Sequence, residues 1–123
     1  MNESGRAVKK IISNFKFQIS NLVVIHDDID LPLGKLKISK NSGAGGHKGI
    51  ESIINSLGTQ DFIRFKIGIC PEKGKPQKIE SFVIKKFTKE ELKVIEEAIK
   101  KTSDALDLFI KEGLEKTMNQ YNG

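Results

Sequence analysis

Lys35-Leu-Lys-Ile-Ser-Lys-Asn-Ser-Gly-Ala-Gly-Gly-His-Lys-Gly-Ile-Glu-Ser-Ile-Ile-Asn-Ser-Leu-Gly58 changes its periodicity twice within 24 residues, and those changes set the fold class. Lys35 to Ser39 alternates charged and apolar side chains, the pattern of a strand with one wet face. Asn41 to Gly46 is a glycine-rich loop. After it, Ile50, Ile53, Ile54 and Leu57 recur at helical spacing, and Gly58 provides the stop. Downstream, Phe62-Ile-Arg-Phe-Lys-Ile-Gly-Ile69 alternates again, with Ile63, Phe65, Ile67 and Ile69 on one face and Arg64 and Lys66 on the other. Upstream, Leu22-Val-Val-Ile25 is a continuous apolar run, suited to a strand buried on both faces. The spacing ends that strand at His26-Asp-Asp-Ile-Asp30 and places a turn at Leu31-Pro-Leu-Gly34.

The outer segments are helical. Val8, Ile11, Ile12 and Phe15 share a face of a helix expected over Ser4–Asn14, with Lys9 and Lys10 opposite. Thr88-Lys-Glu-Glu91 has the form of a capping box. The helix it opens carries Leu92, Ile95, Ile99, Thr102, Leu106 and Phe109 at spacings of three and four, and ends near Gly113. Between the last strand and this helix, Pro71–Gln77 reads as a polar loop and Ser81–Ile84 as a short strand. Strands alternating with helices at these lengths imply an α/β chain, and with no internal repeat or linker, residues 1–123 are expected to form a single domain.

Composition narrows the class further. Hydrophobic residues at 37% and charged residues at 30% describe an ordinary globular chain, and no apolar run approaches the roughly 18 residues of a membrane span. Met1 to Gly5 has neither the basic start nor the apolar stretch of a secretory signal. The single Cys70 has no internal disulfide partner, so a reducing cytoplasm is expected and Cys70 reads as a buried structural thiol. A net charge of +5 favours a polyanionic partner without demanding one.

Three constellations have chemical potential. Asp27, at the expected strand end, has the carboxylate to orient a histidine for general-base work, or with Asp28 and Asp30 it caps a turn. The glycines of Ser42-Gly-Ala-Gly-Gly-His-Lys-Gly49, just before a helix, allow backbone N–H groups to approach an anion, or form a flexible connector. The loop fits neither the P-loop nor the dinucleotide fingerprint. Lys35, Lys37, Arg64 and Lys66 on two strands, with Lys40 and Lys48 near the loop, make a phosphate-binding strip if the strands are neighbours, and otherwise plain solvated surface. Metal binding has little support, since only His26 and His47 are available and no ligand pair stands at helical spacing.

Met1-Asn2-x-Ser4-Gly5, Val24-Ile-His-Asp-Asp-Ile-Asp-Leu-Pro-Leu-Gly34, Ser42-Gly-Ala-Gly-Gly-His-Lys-Gly49, Leu57-Gly-Thr-Gln-x-Phe62 and Arg64-x-Lys-Ile-Gly-Ile69 together resemble, in order and spacing, the bacterial peptidyl-tRNA hydrolase family. The resemblance implies a three-layer α/β/α domain with a twisted mixed sheet, and hydrolysis of the ester joining a peptide to the 3′ end of tRNA. It implies no cofactor, no metal, no membrane contact, and a cytoplasmic monomer. By resemblance Asp27 orients the catalytic histidine, Met1, Asn2, Gly46, His47 and Lys48 meet the substrate, and Lys37, Lys40, Arg64 and Lys66 hold tRNA phosphates.

Two departures follow from the same comparison. The family's amino-terminal segment, which carries the catalytic histidine, precedes the point matching Met1, so an N-terminally truncated and impaired hydrolase is expected. Lys48 stands where many members carry asparagine, and a donor-only ammonium lacks the amide's acceptor. A catalytically silent tRNA-binding relative and a non-functional fragment are the alternatives.

Overall fold

The computed structural model describes residues 3–15, 18–71 and 87–122, and of Phe15 the backbone alone. The expected strand at Ser81–Ile84 and nearly all of the Pro71–Gln77 loop lie outside them. Among the described residues are α1 (Ser4–Phe15), a 3-10 turn (Ile19–Asn21), β1 (Val23–Pro32), β2 (Leu36–Lys40), α2 (Lys48–Leu57), β3 (Ile63–Cys70), α3 (Lys89–Glu112) and α4 (Leu114–Tyr121). The strands form a mixed sheet in the order β1-β3-β2, and the chain is an α/β protein. It gathers into two compact units, Met1–Val24 with Ser39–Arg64, and Ile25–Ile38 with Phe65–Gly123.

In the first unit the helical periodicity read from Ile50 and Ile53 is the periodicity that packs. Both side chains are buried with Phe62, and Val8, Ile19, Leu22 and Leu57 close around them. Burying each isoleucine is worth roughly 1.5–3 kcal/mol, which makes this cluster the main support of α2. α1 packs directly on α2. Their approach is tight at Gly5, where an added Cβ would stand 2.0 Å from the Ser52 carbonyl oxygen, so only glycine fits. Ile11, expected on the inner face of α1, is exposed: the face that meets α2 is centred on Gly5 and Val8.

In the second unit, Leu36 and Ile38 of β2 are buried while Lys37 between them is exposed, as the alternation predicts. Phe65 of β3 meets Phe109 of α3 edge to face, with ring centroids 6.3 Å apart. Such a pair adds about 0.5–1.5 kcal/mol beyond its burial. The capping box is present in full: the Glu91 N–H donates to Thr88 Oγ1 at 3.1 Å, and the Thr88 N–H to Glu91 Oε1 at 2.8 Å.

Helix α4 has no counterpart in the sequence reading. The residue after it, Asn122, grips the edge strand β2, accepting from the Ile38 N–H at 2.7 Å and donating to the Ile38 carbonyl at 2.8 Å. One carboxamide thus satisfies both backbone groups that an edge residue leaves open.

β1 departs from expectation twice. It continues through His26–Asp30 to Pro32 instead of stopping at the acidic residues. It is also not buried on both faces, because Ile25 is 46% exposed. A continuous apolar run reports strand preference, whereas burial needs a covering layer that the described residues do not supply at Ile25. Ladder bonding from a neighbouring strand overrides the low intrinsic preference of aspartate. Cys70 is half-buried, with its thiol toward the Pro71 carbonyl at 3.6 Å, so it is less enclosed than expected.

Candidate active site

The glycine loop delivers its residues to the start of α2 by three fastenings. At its beginning, the Asn41 N–H donates to the Phe62 carbonyl at 3.3 Å, and Asn41 itself has a φ of 57°. In its middle, the Arg64 guanidinium donates to the Gly43 carbonyl at 2.6 Å and to Ser42 Oγ, while the Ser42 and Ser39 hydroxyls share a hydrogen bond of 2.9 Å. At its end, Gly45 and Gly46 take φ of 58° and 85°, left-handed values natural to glycine, and His47 caps the helix.

The cap defines the chemistry of His47. Its Nδ1 accepts the Ile50 N–H at 3.2 Å, so the neutral ring carries its proton on Nε2. A ring in that tautomer offers a donor, not a base, to anything at Nε2. His26 is no better placed: Nδ1 donates to the Asp27 carbonyl at 2.7 Å, and its Nε2 is buried.

Beyond His47 the exposed Lys48 opens a polar cleft of about 370 Å³, lined also by Glu51, Ser52, Asn55 and Ser56. Two of these lining residues meet the start of α1, where the Gly5 N–H donates to Ser52 Oγ at 3.0 Å and Gly5 lies against Ser56. The first unit therefore sets Gly5, at the start of α1, against two residues of the cleft that Lys48 lines. Met1 and Asn2 lie outside the described residues.

The other candidates divide by strand. Asp27 is exposed at the middle of β1, not at a strand end, and the Asp28 carboxylate beside it accepts the Asp30 N–H at 2.8 Å. β2 and β3 are neighbours in the sheet. Lys37 and Lys40 are exposed on β2, and Lys66 is half-buried on β3. Arg64 corrects the expectation, being 2% exposed and turned into the loop rather than to the surface. Its strand is the central one, and consecutive burial of Ile63, Arg64 and Phe65 means both faces are covered there. Among the described residues, no group of three or more histidine, cysteine, aspartate or glutamate side chains is arranged to hold a metal ion.

Residues 1–123 match the peptidyl-tRNA hydrolase family throughout. The chain belongs to that family. The peptidyl-tRNA hydrolase of Thermodesulfovibrio yellowstonii is 49% identical over 124 residues, which cover 99% of this chain and 65% of that protein. That of Pseudothermotoga lettingae is 42% identical with the same coverage of each. The crystal structure of peptidyl-tRNA hydrolase from Acinetobacter baumannii aligns with a TM-score of 0.88 at 25% identity, over 100% of this chain and 62% of that one. The chain thus spans a little under two thirds of these peptidyl-tRNA hydrolases. No helix among the described residues is long and apolar enough to cross a membrane.

Sequence reasoning placed Gly46, His47 and Lys48 correctly on the loop and helix entrance. It missed Ser52, Asn55 and Ser56 as cleft-lining residues. The signal was available, since they sit on the polar face of α2 and Ser52 follows Lys48 by one helical turn.

Proposed function

We propose that the protein hydrolyses the ester between a peptide and the 3′ end of tRNA, as a cytoplasmic monomer whose residues 1–123 form one domain needing no metal or cofactor. The observation that carries the proposal is the family match across the whole chain. The polar cleft at Lys48, beside the start of α1, supports it as the place where substrate would lie.

Ester hydrolysis at neutral pH needs a base to activate water and donors to hold the developing oxyanion. In this proposal Asp27 accepts the Nδ1–H of an imidazole and fixes the tautomer in which Nε2 is the base. The family resemblance puts that imidazole in the segment preceding the point that matches Met1; His47, with its Nδ1 lone pair in the α2 cap, does not offer the Nδ1–H that this role needs. Met1, Asn2, Gly46, His47 and Lys48 contact the substrate. Lys48 donates to the ester carbonyl or a phosphate, the Nε2–H of His47 is a second donor, and Lys37, Lys40 and Lys66 hold tRNA phosphates. Arg64 is left out of that set because it is buried.

These 123 residues are accordingly expected to bind tRNA and hydrolyse N-acetylaminoacyl-tRNA slowly. Imidazole added to the buffer should raise the rate, and Asp27→Asn should remove that increment while leaving tRNA affinity in place. A positioned general base is worth about 10²–10⁴-fold, which bounds the rescue. No tRNA binding at low salt by a folded sample would defeat the proposal. Fast turnover without imidazole would show that the base has been misassigned. Binding without hydrolysis under any condition would leave a silent tRNA-binding relative.

A further inference from the structure

Arg64 is a charged side chain that the proposed function leaves unused, yet it is among the most buried in the protein. Its guanidinium reaches out of β3 into the middle of the glycine loop, donating to the Gly43 carbonyl at 2.6 Å and to Ser42 Oγ. Ser42 is tied in turn to Ser39 of β2 at 2.9 Å. These bonds stand between the two segments of the loop that are hardest to fix by packing. Before them lies Asn41 in a left-handed conformation, and after them Gly45 and Gly46, where, among the described residues and apart from each glycine's chain neighbours, no atom lies within 4 Å of where a Cβ would be. Glycines in open space lose much conformational freedom on ordering and return nothing in contacts. Ala44 anchors one point of the loop, packing against the Ile50–Ile53–Phe62 cluster and accepting the His47 N–H at 3.0 Å. On the Ser42–Gly43 side the order comes from polar fastening, and His47 and Lys48 follow the loop directly.

We infer that Arg64 is a positioning residue: it holds Ser42 and Gly43 so that His47 and Lys48 enter the cleft in one fixed orientation, and it does not itself touch tRNA. The inference rests on the proposed function for the importance of that orientation, but the fastening is a property of the chain alone. Arginine suits the task because its planar group donates to two acceptors at fixed angles, whereas a lysine ammonium in the same place reaches one of them well.

The test uses the full chain with Arg64→Gln, Arg64→Lys, Ser42→Ala and, as a control, Lys66→Gln. Amide hydrogen exchange at His47 and Lys48 should accelerate by about tenfold or more in Arg64→Gln and Ser42→Ala, with α3 amides unchanged, and Arg64→Lys should recover part of the protection. A loss of global stability would instead accelerate both regions. In parallel, the salt dependence of deacylated tRNA binding separates positioning from phosphate contact. Losing one phosphate contact lowers the log–log slope by about 0.7–0.9. Lys66→Gln should show that drop and Arg64→Gln should not. Should Arg64→Gln fail to fold, Ser42→Ala decides by exchange alone. Unchanged exchange at His47 and Lys48 in Ser42→Ala, or a slope reduced by Arg64→Gln, would overturn the inference. A wild-type chain that binds no tRNA would overturn the proposed function instead, while the exchange rates still decide whether Arg64 fastens the loop.

Discussion

Helices α2 and α3 have similar apolar patterns in sequence and use them in opposite ways. α2 buries its large residues, with Ile53 only 4% exposed in a cluster with Ile50 and Phe62. α3 buries Ala98, Thr102 and Ala105, while Ile99 is 55% exposed and Leu92 and Ile110 also face solvent. Of the face expected from Leu92, Ile95, Ile99, Thr102, Leu106 and Phe109, Thr102 is buried and Ile95, Leu106 and Phe109 are half-buried, whereas Leu92 and Ile99 at its edge face solvent, so the packed face is turned toward Ala98 and Ala105. Spacings of three and four define more than one stripe on a long helix, and small residues can win because they permit closer approach. Large apolar side chains indicate where a helix can pack, whereas buried alanines indicate where it does.

The difference predicts opposite responses to volume. Ile53→Ala should give the largest effect, about 2–5 kcal/mol in urea unfolding, because it empties part of the α2 cluster that Val8 and Leu22 cannot refill without moving the backbone. An effect below roughly 1 kcal/mol would mean that the first unit does not depend on this cluster. In α3 the damaging change is the addition of atoms. Ala105 is 0% exposed, so Ala105→Leu should cost about 1–3 kcal/mol through overpacking. A neutral or stabilising result would show space beside α3 and would restore the face read from the large residues.

The same contrast separates what was legible in the sequence from what was not. The strand, glycine loop and helix over Lys35–Gly58 were readable because each rests on a local period or a local stop. The capping box at Thr88 was readable for the same reason. α4 was not, because it begins at Gly113 without a side-chain cap, and its end is fixed by Asn122 gripping Ile38, a partner 84 residues away. At the candidate site, the position of Gly46, His47 and Lys48 at the loop and helix entrance was legible from periodicity, and Lys48 lines the cleft. The burial of Arg64 was not, since alternation sets which way a side chain points but not whether its strand is central in the sheet. β1 failed in the reverse sense: its apolar run was visible, but whether anything covers Ile25 is a non-local question.

The smallest expected effect is the most direct check on the displaced face of α3. Ile99 belongs to the stripe that periodicity favoured, so under that stripe Ile99→Gln would remove a core side chain and cost several kcal/mol, as Ile53→Ala does. With Ile99 exposed, the exchange moves little apolar surface, and glutamine has a slightly better helix propensity than isoleucine. The unfolding free energy should then change by no more than about 0.5 kcal/mol in either direction. Unfolding midpoints measured side by side for Ile99→Gln and Ala105→Leu give the sharper result, because the two faces predict opposite rank orders. If Ile99→Gln is the more damaging, α3 packs through its large residues. If Ala105→Leu is, the small-residue face is the one that carries the helix.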